Sequence, residues 1–206
     1  MVVAASEAPD LTRETDRVAA KPPLLEHVEL AAGVSAQLSI GVAPEALVGG
    51  QLWLRAVWER NSWLSPEAAL SYGYQRRGGF VQADGEADFA LGAAALDACP
   101  LRVGVAALHL RPCVSGSLGR LNAVGHETFF PRTESRPWSS FGANAQLIAR
   151  LGIVRITASF GVAKPLVRDR FRFGSECSGA ACEVDAFHRV QAAVWSGAAG
   201  AGLAFW

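Results

Sequence analysis

The stretch Val28–Val42, VELAAGVSAQLSIGV, decides the fold. Its even positions (Val28, Leu30, Ala32, Val34, Ala36, Leu38, Ile40, Val42) are all apolar. Its odd positions (Glu29, Ala31, Gly33, Ser35, Gln37, Ser39, Gly41) are all small or polar. A period of two is the signature of a strand, whose successive side chains point to opposite faces. An ordinary soluble strand runs roughly five or six residues, and this one is more than twice that. A strand that long, apolar on one face and small or polar on the other, predicts a transmembrane β-barrel with lipid outside and a polar lumen inside.

The composition agrees. Half of the 206 residues are hydrophobic, yet no run approaches the roughly 18 apolar residues a spanning helix needs. Charged residues make up 18 %, against about 25 % in soluble domains. The net charge of zero argues against a nucleic-acid partner. Residues 1–23 contain Glu7, Asp10, Glu14 and Asp16, which interrupt any signal-peptide pattern, and Ser6–Pro23 is polar and Pro-containing. The expected organisation is a disordered linker over 1–23 and a barrel over 24–206.

Seven more strand-like runs follow the first: Gly50–Glu59, Trp63–Gly73, Glu86–Leu96, Ala107–Leu121, Trp138–Arg150, Ile153–Ala163 and His188–Trp206. Pro66 interrupts the ladder of its run, so a bulge or a late start of pairing is expected there. Arg60–Ser62 and Leu151–Gly152 are short links, whereas Tyr74–Gly85, Asn122–Pro137 and Lys164–Phe187 are long. Short turns at one end and long loops at the other give an all-β, eight-stranded, antiparallel, up-and-down barrel.

The candidate site residues fall into three groups. Cys99, Cys113, Cys177 and Cys182 suit two local disulfides in an oxidising compartment. Glu29, Arg55, Glu59, Glu67, Glu86, Asp88 and Arg155 are assigned to the lumen, where isolated ions are costly and must pair. An eight-stranded interior is just wide enough for side chains, so this network is expected to plug the barrel. Trp53, Trp58, Trp63, Tyr72, Tyr74, Trp138 and Trp206 lie near strand ends and are assigned to interfacial girdles. No metal or cofactor motif is present, and no catalytic residue is singled out. His126 and Glu127, with Phe129, Phe130 and Arg132, are placed in one loop, and His188 near the last run. Arg168, Arg170 and Arg172, with Asp169, form the most basic segment, suited to a protruding strand or to anionic headgroups.

The closing GLAFW resembles the C-terminal strand signal of bacterial outer-membrane barrels. The stretches VSAQLSIGVAP, CVSGSLGRLNAVG and PLVRDRFRF resemble a group of uncharacterised small outer-membrane-barrel proteins of Gram-negative bacteria. The resemblance spans Leu24–Trp206 and implies an outer-membrane location, contact with membrane lipid, and recognition of the last strand by the barrel assembly machinery. It carries no catalytic residues. The expected role is structural or interactive, with the extracellular partner open. Two alternatives remain at this point. One is a rim-located lipid-modifying enzyme, which needs Ser or Glu within reach of His126 or His188. The other is a soluble lipocalin-like barrel, which needs Leu38, Ile40, Phe89 and Phe160 pointing inward.

Overall fold

Backbone N–H and C=O groups in lipid must be satisfied within the protein, and a closed sheet does so without an edge. The chain follows that solution. The computed structural model describes residues 28–58, 63–82, 85–105, 107–126, 133–168, 170–171 and 188–205. The expectations for residues 1–23, Glu59, Glu127, Phe129, Phe130, Arg132, Asp169, Arg172, Cys177, Cys182 and Trp206 lie outside these. Among the described residues there are eight long strands: β1 (Val28–Ile40), β2 (Leu47–Trp58), β3 (Leu64–Gln82), β4 (Gly85–Leu101), β5 (Leu108–His126), β6 (Thr133–Leu151), β7 (Val154–Pro165) and β8 (Val194–Ala204). Each pairs antiparallel with its neighbours in sequence, and β1 pairs with β8 from Ala31↔Ala204 to Ile40↔Trp195, which closes the barrel. Two short ladders accompany it, Val103–Gly104 on β5 and residues 170–171 on 188–189. No helix of the described residues is long and apolar enough to cross a membrane.

The chain enters β1 and leaves β8 at the same end of the barrel, which also carries the two-residue turn between β6 and β7. Gly152 opens that turn at φ +62°, a left-handed conformation that favours glycine. This is the turn end; the opposite one is the loop end. Between the two, alternation sorts the side chains. Val34, Leu52, Leu70, Leu118, Phe141 and Phe160 are exposed on the outer surface, while Ser35, Arg55, Glu67, Gln75 and Gln146 are buried inside. From Leu64 to Tyr74 on β3 the outer face covers about 33 Å of strand. Tilted by roughly 40°, that gives a height near the ~25 Å apolar band of outer-membrane barrels.

Two expectations about the strands need correction. The links Tyr74–Gly85 and Asn122–Pro137 are mostly strand: β3 runs to Gln82, β4 starts at Gly85, β5 runs to His126 and β6 starts at Thr133. Pairing continues past the lipid belt because each hairpin satisfies its own backbone, although the polarity of the two faces is exchanged there. The ladder of β3 and β4 shifts register between Leu64 and Glu67, where Pro66 lies, as the missing N–H requires. A second shift falls between Arg77 and Phe80, at Gly78-Gly79.

Candidate functional site: the lumen and the loop-end rim

The turn-end half of the lumen is ionic. Glu67 on β3 lies between two guanidiniums, 2.8 Å from Arg55 Nε on β2 and 3.0 Å from Arg111 Nε on β5. Neither the Glu67 nor the Arg111 side chain has measurable solvent exposure. Arg111 also donates to the Ser65 carbonyl oxygen at 2.6 Å. Arg55 donates to Gln146 Oε1 at 2.8 Å, and Gln146 in turn donates to Asp97 at 3.2 Å. Asn144 completes the Asp97 carboxylate at 2.8 Å. Nearer the turns, Arg155 grips Glu29 with two bonds of 2.9 and 2.7 Å, and Arg150 approaches the same carboxylate at 3.8 Å. Every long strand except β8 supplies a member, and the partners come both from the adjacent strand, as for Arg55 and Glu67, and from non-adjacent strands, as for Arg155 and Glu29. The cost of burying a charge is met by a counter-charge and by hydrogen bonds.

Glycines make room for this layer. Gly33 on β1 faces Trp53 on β2 and Gly202 on β8 in the same rung. A methyl group at either glycine would strike the Trp53 ring. The indole therefore lies flat across bare backbone, and the Arg55 guanidinium sits over it, 5.1 Å from the ring centre. Cys99 and Cys113 form a disulfide between β4 and β5, buried inside the same half.

The loop-end half is apolar inside. Val42, Leu47, Phe89, Leu121, Trp138 and Val190 belong to one buried cluster. His188 caps it, with Nε2 3.0 Å from the Val42 carbonyl oxygen and its ring edge-on to Phe89 at 5.9 Å. Burial holds the His188 imidazole below the ordinary histidine range, and its hydrogen bond to Val42 opposes that only in part. Trp138 hangs from this cluster by a bond to Ser117 Oγ at 3.0 Å. Between the two layers lies a cavity of about 160 Å³, lined among others by Ser35, Gln37, Ser71, Gln75, Asn144 and Ser159. It has room for several waters, and Gln37 Oε1, Gln75 Oε1 and Asn144 Oδ1 accept no hydrogen bond from the described residues.

The structure brings together Glu29, Arg55, Glu67 and Arg155 as inward-facing ions. Glu86 and Asp88 are a correction. β4 enters its ladder with Ala87, Phe89 and Leu91 inward, so these two carboxylates fall on the outer face. Above the lipid that face meets water, and Asp88 bonds the exposed His126 at 3.1 Å and accepts the Gly79 N–H at 2.9 Å. Trp53 and Trp138 are also corrected: both are buried in the lumen rather than placed at an interface. Trp58 and Trp63 lie exposed at the turn end, and Tyr72 and Tyr74 exposed toward the loop end. Sequence reasoning missed Asp97, Arg111 and Arg150 as members of the ion network. Arg111 shares parity with Ser115 and Ser117, a signal that could have found it.

These features define a class, the eight-stranded transmembrane β-barrel of the outer-membrane type. Solved structures of the same fold include a major outer membrane protein of Thermus thermophilus, at 12 % identity and a TM-score of 0.60 over 86 % of this chain and 99 % of that one. Another is the attachment invasion locus protein Ail of Yersinia pestis, at 16 % identity and a TM-score of 0.50 over 86 % of this chain and 97 % of that one. At such identities the likeness establishes the fold. No family model and no curated protein matches the chain.

Proposed function

We propose that this chain is an outer-membrane β-barrel with a structural or interaction role, its lumen closed to ions by its own side chains. The observation that carries this reading is the pair of layers inside the barrel. The ions around Glu67 cross the turn-end half, and the cluster around Phe89 fills the loop-end half. The apolar outer surface of all eight strands supports a membrane location, and outer-membrane barrels place short turns in the periplasm and long loops outside. On this reading β8, which pairs with β1 and presents Phe205 outward, is the strand that the assembly machinery engages. Its contact surface is the set of external hairpins, and its role is not catalytic. The rim-enzyme alternative draws no support from the histidines: His126 meets Asp88, and His188 meets a backbone carbonyl. Of the four residues that the soluble alternative needs inside, Leu38, Ile40 and Phe160 point outward and Phe89 inward, which favours the membrane reading.

The test is fractionation of cells producing the chain with its native upstream sequence, followed by conductance of the purified protein in a planar bilayer. A heat-modifiable band in the outer-membrane fraction and no steady ionic current are expected. A steady current through the unmodified barrel would overturn the closed lumen, and a soluble product without a heat shift would overturn the membrane reading.

A further inference from the structure

The charges on the outer surface are sorted by height. Just beyond the loop-end limit of the apolar band, the outward positions are Arg76 on β3, Arg120 on β5 and Lys164 on β7, all exposed. Of the acidic groups of this end, Asp88 and Glu86 are the next outward positions of β4 beyond Ala90, and three of the four have partners of their own. Asp88 meets His126, Glu45 meets Arg77 at 2.7 Å, and Glu134 meets Arg136 at 3.3 Å. Among the described residues, Arg76 and Arg120 have no acidic partner.

Those two arginines flank the same short segment of β4. Arg76 stands opposite Ala90 and Arg120 opposite Gly92, so they rise from the strands on either side of it. With strands about 4.8 Å apart and a two-residue offset, their Cα atoms are separated by about 12 Å. Two extended guanidiniums span that distance when an anion sits between them. Gly92 has no side chain, and two tyrosines of β3 lean over it. A methyl group added to Gly92 would lie 3.3 Å from the Tyr72 hydroxyl and 3.7 Å from the Tyr74 ring. The Tyr72 hydroxyl therefore leans across β4 toward Gly92, between the two arginines. Below it the outer surface is apolar, with Ala94 and the exposed side chains of Leu96 and Leu118.

We propose that this patch, formed by Arg76, Arg120 and the Tyr72 hydroxyl over Gly92, binds the phosphate of an anionic lipid in the loop-side leaflet, the lipid's acyl chains running down the apolar face of β4. The inference rests on the transmembrane reading above and deepens it. Charge complementarity selects the occupant: two unpartnered cations and a hydroxyl donor face the headgroup layer, while the surface below them can only meet hydrocarbon. Arg is suited to phosphate because its planar fork donates two parallel bonds.

The full chain is refolded into phosphatidylcholine vesicles with and without phosphatidylglycerol, and the heat-shift midpoint is read on a gel. Phosphatidylglycerol is expected to raise the midpoint of the unmodified protein, while free inorganic phosphate leaves it unchanged. A basic residue near an anionic surface is worth roughly fivefold in lipid affinity, so R76Q with R120Q is expected to lower it by roughly thirtyfold in a lipid titration. Y72F is expected to weaken binding by less, and R189Q, which alters a cation outside the patch, to leave it unchanged. Equal stabilisation by neutral and anionic lipid would overturn the proposal. So would an equal loss in R189Q, or a phosphate effect matching that of the lipid. A barrel that still shows its heat shift while failing these tests refutes the lipid site alone. A chain with no heat shift in any vesicle refutes the transmembrane reading beneath it.

Discussion

The lipid belt and the loop-end extension are built from one continuous sheet, yet their polarity is reversed. In the belt, Val34, Leu52 and Phe160 face outward and Ser35, Arg55 and Glu67 face inward. In the extension, Phe89 and Leu121 face inward while Glu86 and Asp88 fall on the outward face. The backbone geometry is the same in both, so the solvent determines which side chain is stable on which face. Hydrocarbon outside the belt rewards apolar exterior positions and leaves the interior to ions that pair among themselves. Water outside the extension restores the arrangement of a small soluble barrel, with its apolar residues packed within.

The largest effect that would sharpen this contrast is in the belt interior. Glu67→Gln leaves Arg55 and Arg111, whose side chain has no solvent exposure, without their shared counter-charge. It is expected to cost about 3–5 kcal/mol, read from the urea unfolding midpoint in lipid vesicles. A neutral outcome would mean that water enters the turn-end lumen freely.

The second comparison moves one substitution between the two exteriors. Val34→Arg, midway along β1, is expected to cost about 2–4 kcal/mol in the same assay. Val81→Arg, near the tip of β3, is expected to cost about 0–1 kcal/mol. Equal costs would abolish the boundary drawn between the regions.

The smallest effect concerns the extension's interior. The His188 imidazole is held below its ordinary range by burial, so the unfolded chain takes up a proton at a higher pH than the folded one. Between those two values the unfolded state binds more protons, and stability falls as pH falls. The near-ultraviolet signal of Trp138 is therefore expected to weaken as pH drops below about 6.5. His188→Gln, which keeps a donor for the Val42 carbonyl, should remove that dependence. An unchanged acid profile in the variant would show that His188 does not govern it.

The belt was legible in the sequence and the extension was not, for the same reason. Period-two polarity persists where one face meets lipid, so Val28–Ile40 and Val154–Ala163 reveal both their structure and their facing. At Glu86–Leu91 the alternation is equally clear but its meaning is inverted, and reading the apolar set as lipid-facing put Glu86 and Asp88 in the lumen. Asp97 escaped notice because the alanine-rich run around it offers little contrast between faces. Trp53 was misread from its position near a strand end, although its parity with Gln51 and Arg55 already placed it inside. Its seat depends on Gly33 and Gly202, and two glycines on different strands are joined only by the closure of the barrel.

The Cys99–Cys113 bridge bears on how this particular hairpin avoids mispairing. β4 is nearly the same on both faces for much of its length, with Ala93 and Ala95 facing inward and Ala94 and Ala98 outward. A slip of one residue would exchange methyl groups for methyl groups, while turning Asp97 out toward lipid. Side-chain contrast offers this segment little protection against that mistake. A covalent tie to β5, one position beyond the Ala98↔Val114 pair, leaves the strand a single alignment whatever its faces offer.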